Sequence, residues 1–144
     1  MKLEKHIDQA RAFLNELATG IGTENNPHKT SRILASSFAG LRNVLTVEES
    51  FDMIAQLPVF IKGMYIDKWH VSGHHEKIKN VDQLLDVILQ FEGDVALKDF
   101  GSREDAKLIV QTVFAVLKRH ISAAESSDIE AVLGKKLGEF WHKA

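Results

Sequence analysis

The second half of this chain repeats the first half. When residues 33–65 are moved forward by 76 positions, nine of the 33 pairs are identical, whereas average residue usage would give about two by chance. The identical pairs are Ile33/Ile109, Phe38/Phe114, Ala39/Ala115, Leu41/Leu117, Glu49/Glu125, Ser50/Ser126, Asp52/Asp128, Ala55/Ala131 and Leu57/Leu133. Such a repeat predicts two similar units that bury their apolar faces against each other.

The apolar residues of both halves recur at helical spacing. A first stripe runs from Ile7 to Ile21 at intervals of three and four residues. Two further stripes have identical offsets in the two halves, and they consist of Leu34, Phe38, Leu41 and Leu45, and of Val110, Phe114, Leu117 and Ile121. This periodicity predicts amphipathic helices that face a common core.

Two capping boxes follow these stripes at equivalent positions. Thr46–Glu49 and Ser122–Glu125 each place a hydroxyl three residues before a carboxylate. We expect the hydroxyl to accept a hydrogen bond from the first turn, and the carboxylate to reach back to the cap N–H. The new helices should stop near Gln56 and Val132, because Pro58 and Gly134 follow, and the last helices should finish at Tyr65 and Trp141.

We therefore predict one all-α domain covering residues 1–144. It should contain about eight helices in two pseudo-symmetric four-helix repeats, packed as one helical bundle. The repeats cover approximately residues 3–66 and 80–142, and a His-rich loop, residues 67–79, joins them. The second repeat is longer by about five residues, which the alignment places within residues 92–102.

Composition restricts the class of partner. The chain has a net charge of −2, spread over both halves, and no cysteine. Nucleic acids and anionic membranes attract basic surfaces, so we expect neither as a partner. The charged, amphipathic start of the chain has no apolar signal region, and no run of residues is apolar enough to span a membrane, which favours a cytoplasmic protein.

The inter-repeat loop holds the only group of residues that suggests metal chemistry. His70, His74, His75 and Glu76 could together ligate Zn²⁺ or Ni²⁺. However, two of these histidines are adjacent, without the i, i+4 spacing of ligands on one helix face, and a solvated loop is the favoured interpretation. We assign no catalytic, cofactor-binding or metal residue and no cofactor, and keep the three histidines as candidates.

Other charged groups have structural explanations. Asp82 and Asp86 are four residues apart but flank apolar positions, so they should line the wet face of a helix. Glu49 and Asp52 fall in a first helical turn, where acids complement the helix dipole. The basic residues 118–120 should close a helix for the converse reason.

With the repeat, the caps and the terminal aromatics established, the chain resembles the uncharacterised bacterial family called domain of unknown function 2267. The matching residues are Leu45-Thr46, Glu49, Asp52, Gln56-Leu57-Pro58 and Tyr65, then Ile121-Ser122, Glu125, Asp128, Leu133-Gly134 and Trp141. Two features depart from the family pattern: Gly134 replaces a second Leu-Pro step, and residues 65–69 lack the usual Gly-Trp and Pro. The resemblance implies two similar helical halves and no known activity.

The sequence favours a non-enzymatic binding or interaction module that acts through a face or groove between the repeats. Trp69 is the aromatic residue most expected to be partly exposed, where it could anchor a partner, although packing in the core or at its edge is the favoured interpretation. The partner would be an unknown protein or small molecule, and the chain a monomer or homodimer. The alternative is a small-ligand or metal-binding protein, possibly an enzyme, that uses the loop residues His70–Glu76.

Overall fold

The structure is a computed structural model that describes residues 2–71 and 77–144. Within these residues the secondary structure consists of helices and turns, so the all-α prediction is confirmed. The helices are α1 (Leu3–Ile21), α2 (Pro27–Val44), α3 (Val47–Ile54), α4 (Val59–Ile66), α5 (Val81–Glu92), α6 (Ala96–Phe100), α7 (Arg103–His120) and α8 (Ala123–Lys143). A 3-10 turn, Gly93–Val95, precedes α6.

Local sequence signals set most helix boundaries. The side chains of Asn26, Thr46, Asn80, Ser102 and Ser122 each accept a hydrogen bond from the backbone N–H three residues later. These bonds satisfy N–H groups that a first helical turn otherwise leaves without a partner. None of the described helices has both the length and the apolar character that crossing a bilayer demands.

The core forms where helices of the two halves cross. α2 packs along α5, α1 along α7, and α3 against α8. Gly40 permits a close approach of α2 to α5, because a Cβ atom at this position would lie 2.6 Å from Cγ1 of Ile88. The apolar side chains that point inward, including Phe38, Phe114 and Trp141, form one continuous cluster with residues from both halves.

Residues 76 positions apart make contacts of the same kind. The Ser50 and Tyr65 hydroxyls are hydrogen-bonded at 2.6 Å, and the Trp141 indole N–H donates to Ser126 Oγ at 3.0 Å. A basic side chain near the end of α2, that of Arg42, donates to the carbonyls of residues 65 and 67 at 2.9 and 3.0 Å. Lys118 on α7 likewise donates to the carbonyls of residues 141, 142 and 144.

The break predicted at Gly134 is present: this residue adopts the non-helical angles φ 81° and ψ −174°, and α8 consists of two helical segments that meet there at a kink. The segment 92–102, where the alignment places the additional residues of the second half, contains the 3-10 turn and the short helix α6, which the sequence did not predict. Phe100 and the Asp99 carboxylate on α6 are buried, and this burial anchors the extra turn to the core.

We predict that Phe38→Ala and Phe114→Ala will each lower the free energy of unfolding by about 3–5 kcal/mol, because each ring fills the core and its loss leaves a cavity. Both phenylalanines are fully buried. Urea denaturation measures the change, with Leu108→Ala as the control, since this leucine is 62% exposed. A near-neutral effect at either phenylalanine would show that the two positions are not equivalent.

We predict that Gly134→Ala will destabilise the protein by about 1–3 kcal/mol, since its backbone angles are almost restricted to glycine. Gly63→Ala is the matched control: this helical glycine also has open space around its missing side chain. Alanine there should stabilise α4 by about 0.5–1 kcal/mol. Thermal and urea unfolding measure the stability of both variants. Equal changes in stability would contradict the assignment of strained backbone angles to position 134.

Candidate functional site

Three carboxylates converge where α3 packs against α8. Glu49 lies in the first turn of α3, and Glu125 and Asp128 lie at the start of α8. Each contributes an oxygen atom to a group in which all three atoms are within 4.8 Å of one another. The N-caps position the two glutamates, because Thr46 Oγ1 accepts from the Glu49 N–H at 3.0 Å and Ser122 Oγ from the Glu125 N–H at 3.1 Å.

The capping-box prediction was therefore right for the hydroxyls and wrong for the carboxylates. Neither glutamate returns a hydrogen bond to its cap; the Ser122 N–H instead donates to Oε1 of Gln56 at 2.6 Å. The Ser102 box on α7 does form completely, with Asp105 accepting from the Ser102 N–H. The difference is tertiary: the packing of α3 on α8 turns Glu49 and Glu125 toward each other.

In this acidic cluster, which consists of Glu49, Glu125 and Asp128, three ionised carboxylates would repel one another. Glu125 is only 6% exposed, and its Oε2 atom and that of Glu49 are buried without a hydrogen-bond partner. Burial raises the pKa of Glu125 to about 8, and contact with Glu49 and repulsion from Asp52 and Asp128 act in the same direction. At neutral pH the site is therefore able to hold a proton or a cation.

A second, partly buried polar group joins α2 to α5 and α6. The Arg32 guanidinium donates to both carboxylate oxygens of Asp99, at 2.7 and 2.9 Å. The Ser36 hydroxyl donates to Glu92 Oε1 at 2.9 Å. Burial and the adjacent Asp99 together raise the pKa of Glu92 to about 7, while the bond from Arg32 holds the pKa of Asp99 below its usual value.

A small cavity of about 190 Å³ adjoins this second group. Arg32, Arg42 and Glu92 line it together with Met64 and Phe91. The guanidinium of Arg42 lies 5.8 Å from the centre of the Phe91 ring. Because its N–H groups donate to backbone carbonyls, Arg42 here acts mainly as a cap for the end of α4.

The histidine candidates are only partly described. His70 lies in the segment after α4 and is exposed. His74, His75 and Glu76 lie outside the described residues, so a metal site in this loop stays a prediction from sequence.

An aromatic pair marks the surface beside this loop. The rings of Phe51 and Trp69 are 5.6 Å apart, and Trp69 also meets the buried ring of Tyr65 edge-on at 5.5 Å. Phe51 is 49% exposed, while Trp69 is half-buried. Trp69 is partly exposed and packs at the edge of the core, whereas Phe51, Phe60 and Phe91 are more exposed than Trp69.

The other charged candidates have structural partners. Asp82 and Asp86 are exposed and pair with Arg103, as expected for the wet face of a helix. Arg119 and His120 contact the carboxylate of Glu16 on α1, so the basic group at the end of α7 joins two helices.

Sequence reasoning missed both acidic groups, for different reasons. Glu49 and Glu125 were recognised as equivalent, and their recurrence was the available signal, but capping explained it completely. Glu92 and Asp99 gave no signal, because their partners Ser36 and Arg32 are 56 and 67 positions away.

We predict that Glu92→Gln will remove part of the pH dependence of stability. The folded chain keeps the Glu92 proton up to about pH 7, whereas the unfolded chain releases it near 4.5. Stability from this group is therefore present below pH 4.5 and lost as the pH rises through 7. From pH 5 to pH 8, the free energy of unfolding of Glu92→Gln should therefore rise by on the order of 1 kcal/mol relative to that of wild type. This is less than the full shift in pKa would give, because Glu92 is only half-buried.

Chemical denaturation at pH 5 and pH 8 measures this difference. Glu104→Gln, at an exposed position on α7, is the control and should run parallel to wild type at both pH values. A Glu92→Gln curve that also ran parallel to wild type would contradict the raised pKa.

Comparison with known proteins gives a family but no activity. No curated protein matches the chain. A family model described as an uncharacterized conserved protein, DUF2267, matches residues 10–140. These residues include α2 to α7, the acidic cluster and the aromatic pair. The resemblance found from the caps and the repeated helices is thereby confirmed, and the chain belongs to the DUF2267 family.

Proposed function

We propose that this chain is a non-enzymatic helical binding module that recognises a protein through the aromatic face formed by Phe51 and Trp69. The observation that carries the proposal is the exposed ring of Phe51, which packs beside Trp69 at a tilt of 38° with ring centres 5.6 Å apart. Aromatic side chains of this kind are enriched among the residues that dominate binding energy at protein interfaces.

The support for this face is that its rings pack on buried side chains of the core. Trp69 rests on Tyr65, whose hydroxyl is held by Ser50 at 2.6 Å inside the core. A partner would therefore meet aromatic rings that lose little conformational freedom on binding. Further exposed apolar side chains lie on α4 and just after it, namely Val59, Phe60, Ile66 and Val71.

The proposal includes the repeat organisation expected from the sequence, with units of approximately residues 3–66 and 80–142. Its support is the set of equivalent contacts: Ser50 with Tyr65 and Ser126 with Trp141, and the capping cations Arg42 and Lys118. Tandem helical units commonly present a surface for binding rather than a reaction centre. Position 51 is Phe in the first unit and Ser127 in the second, so only the first unit would carry the aromatic face.

We predict that Phe51→Ser will weaken binding of the protein partner at least tenfold, because it removes an aromatic anchor from the centre of the interface. Leu108→Ser is the matched control, since it removes an exposed apolar side chain on α7. The immobilised chain and both variants would be compared for retention of proteins from the organism's own lysate, followed by titration of the retained protein.

Two further measurements make the test specific. Sedimentation velocity shows whether the partner is a second copy of the chain, in which case Phe51→Ser should dissociate the dimer. Trp141 is fully buried, so a change in tryptophan emission on titration reports mainly Trp69. Equal affinity of Phe51→Ser and wild type for the partner would contradict the proposal.

A further inference from the structure

The acidic cluster between α3 and α8 suggests a role separate from the aromatic face. Its three carboxylates come from both halves of the chain: Glu49 from the first, and Glu125 and Asp128 from the second. Calcium usually binds oxygen ligands at about 2.3–2.6 Å. Two oxygen atoms that each lie about 2.4 Å from the same ion can be at most about 4.8 Å apart. The separations within the cluster satisfy this limit.

A second observation points to a missing positive charge. The Glu125 side chain, on a residue only 6% exposed, points into the cluster, and its Oε2 atom is buried without a hydrogen-bond partner; Oε2 of Glu49 is in the same state. Buried carboxylate oxygens normally have a donor or a cation, because an unpaired one loses its hydration without compensation. The neighbouring charge of Asp52 is also negative and raises the pKa of Glu125.

None of the ion pairs among the described residues includes a carboxylate of the acidic cluster. Arg32 pairs with Asp99, Arg103 with Asp82 and Asp86, and Arg119 with Glu16. Lys118 caps the end of α8. The acidic cluster therefore combines converging carboxylates, burial and a local excess of negative charge.

We propose that Glu49, Glu125 and Asp128 form a binding site for a divalent cation of calcium size, held between α3 and α8. The donors are all carboxylate oxygens, which suit Ca²⁺, Mn²⁺ or Mg²⁺ rather than the softer metals that prefer nitrogen and sulfur. Glu125 provides the buried ligand, and the exposed Asp128 provides the route from solvent. Water would complete the coordination, and the ion would join the two halves.

Calcium titration of the full chain, first treated with EDTA, tests this site. Isothermal titration calorimetry should show one Ca²⁺ per chain, and a hundredfold excess over Kd should raise the Tm by about 5 °C or more. Tb³⁺ provides an optical readout: the Trp141 indole contacts Ser126, the neighbour of Glu125, so it should sensitise Tb³⁺ luminescence at the site.

The variants Glu125→Gln and Asp128→Asn should each weaken Ca²⁺ binding about tenfold or more, since each removes a charged ligand. Asp128 is exposed, so its variant tests the site even if Glu125→Gln disturbs the fold. Glu48→Gln, an exposed neighbour on α3, is the control and should stay within about twofold of wild type.

Two results would overturn the proposal. One is that the folded wild-type chain shows neither a heat of Ca²⁺ binding nor Tb³⁺ luminescence at about 1 mM metal, a concentration that matches the Kd of the weakest protein calcium sites. This result, together with a higher Tm for metal-free Glu125→Gln, would mean that the two glutamates share a proton instead. The other is binding that persists unchanged in both ligand variants.

Discussion

The close contact of α2 with α5 determines how the two halves fit together. α2 is buried over much of its length, and it reaches α5 at Gly40, where there is no room for a side chain beside Ile88. This crossing brings the apolar stripes of both halves into one core and leaves α1 to pack along α7. A half of roughly 65 residues could scarcely bury such wide stripes alone, so each half depends on the other for a closed core.

Once this core is closed, most buried polar groups have a partner. Arg42 and Lys118 satisfy backbone carbonyls at the ends of α4 and α8. Tyr65 and Trp141 direct their polar atoms to Ser50 and Ser126. The Oε2 atoms of Glu49 and Glu125 depart from this pattern, since they are buried at the interface between halves without a hydrogen-bond partner; among the described residues, Glu92 Oε2 and His6 Nδ1 share this state. The position of Glu49 and Glu125 gives the acidic cluster its interest as a site that could respond to a cation.

Sequence reasoning succeeded where the relevant signal is local. The hydroxyls of Thr46 and Ser122 cap their helices as expected, and Gly134 breaks the helical angles where a break was predicted. It failed where a side chain had two possible partners. Glu49 can bond to its own cap or turn to a neighbouring helix, and a motif four residues long cannot distinguish these. The same holds for Glu92 and Asp99, which lie in a segment interpreted only as an insertion.

The sequence by itself determined the helices other than α6, the caps at which most of them begin, and the family. Periodicity and caps act over a few turns of chain, and the repeat is visible in the residues themselves. Only the tertiary structure decided that Glu49 meets Glu125 and that Arg32 meets Asp99, since these partners are 76 and 67 residues apart in the chain. The physical reason is that burial and electrostatic repulsion depend on which helix faces are pressed together. Those faces are set by the packing of the whole core, and the local sequence around each carboxylate does not contain that information.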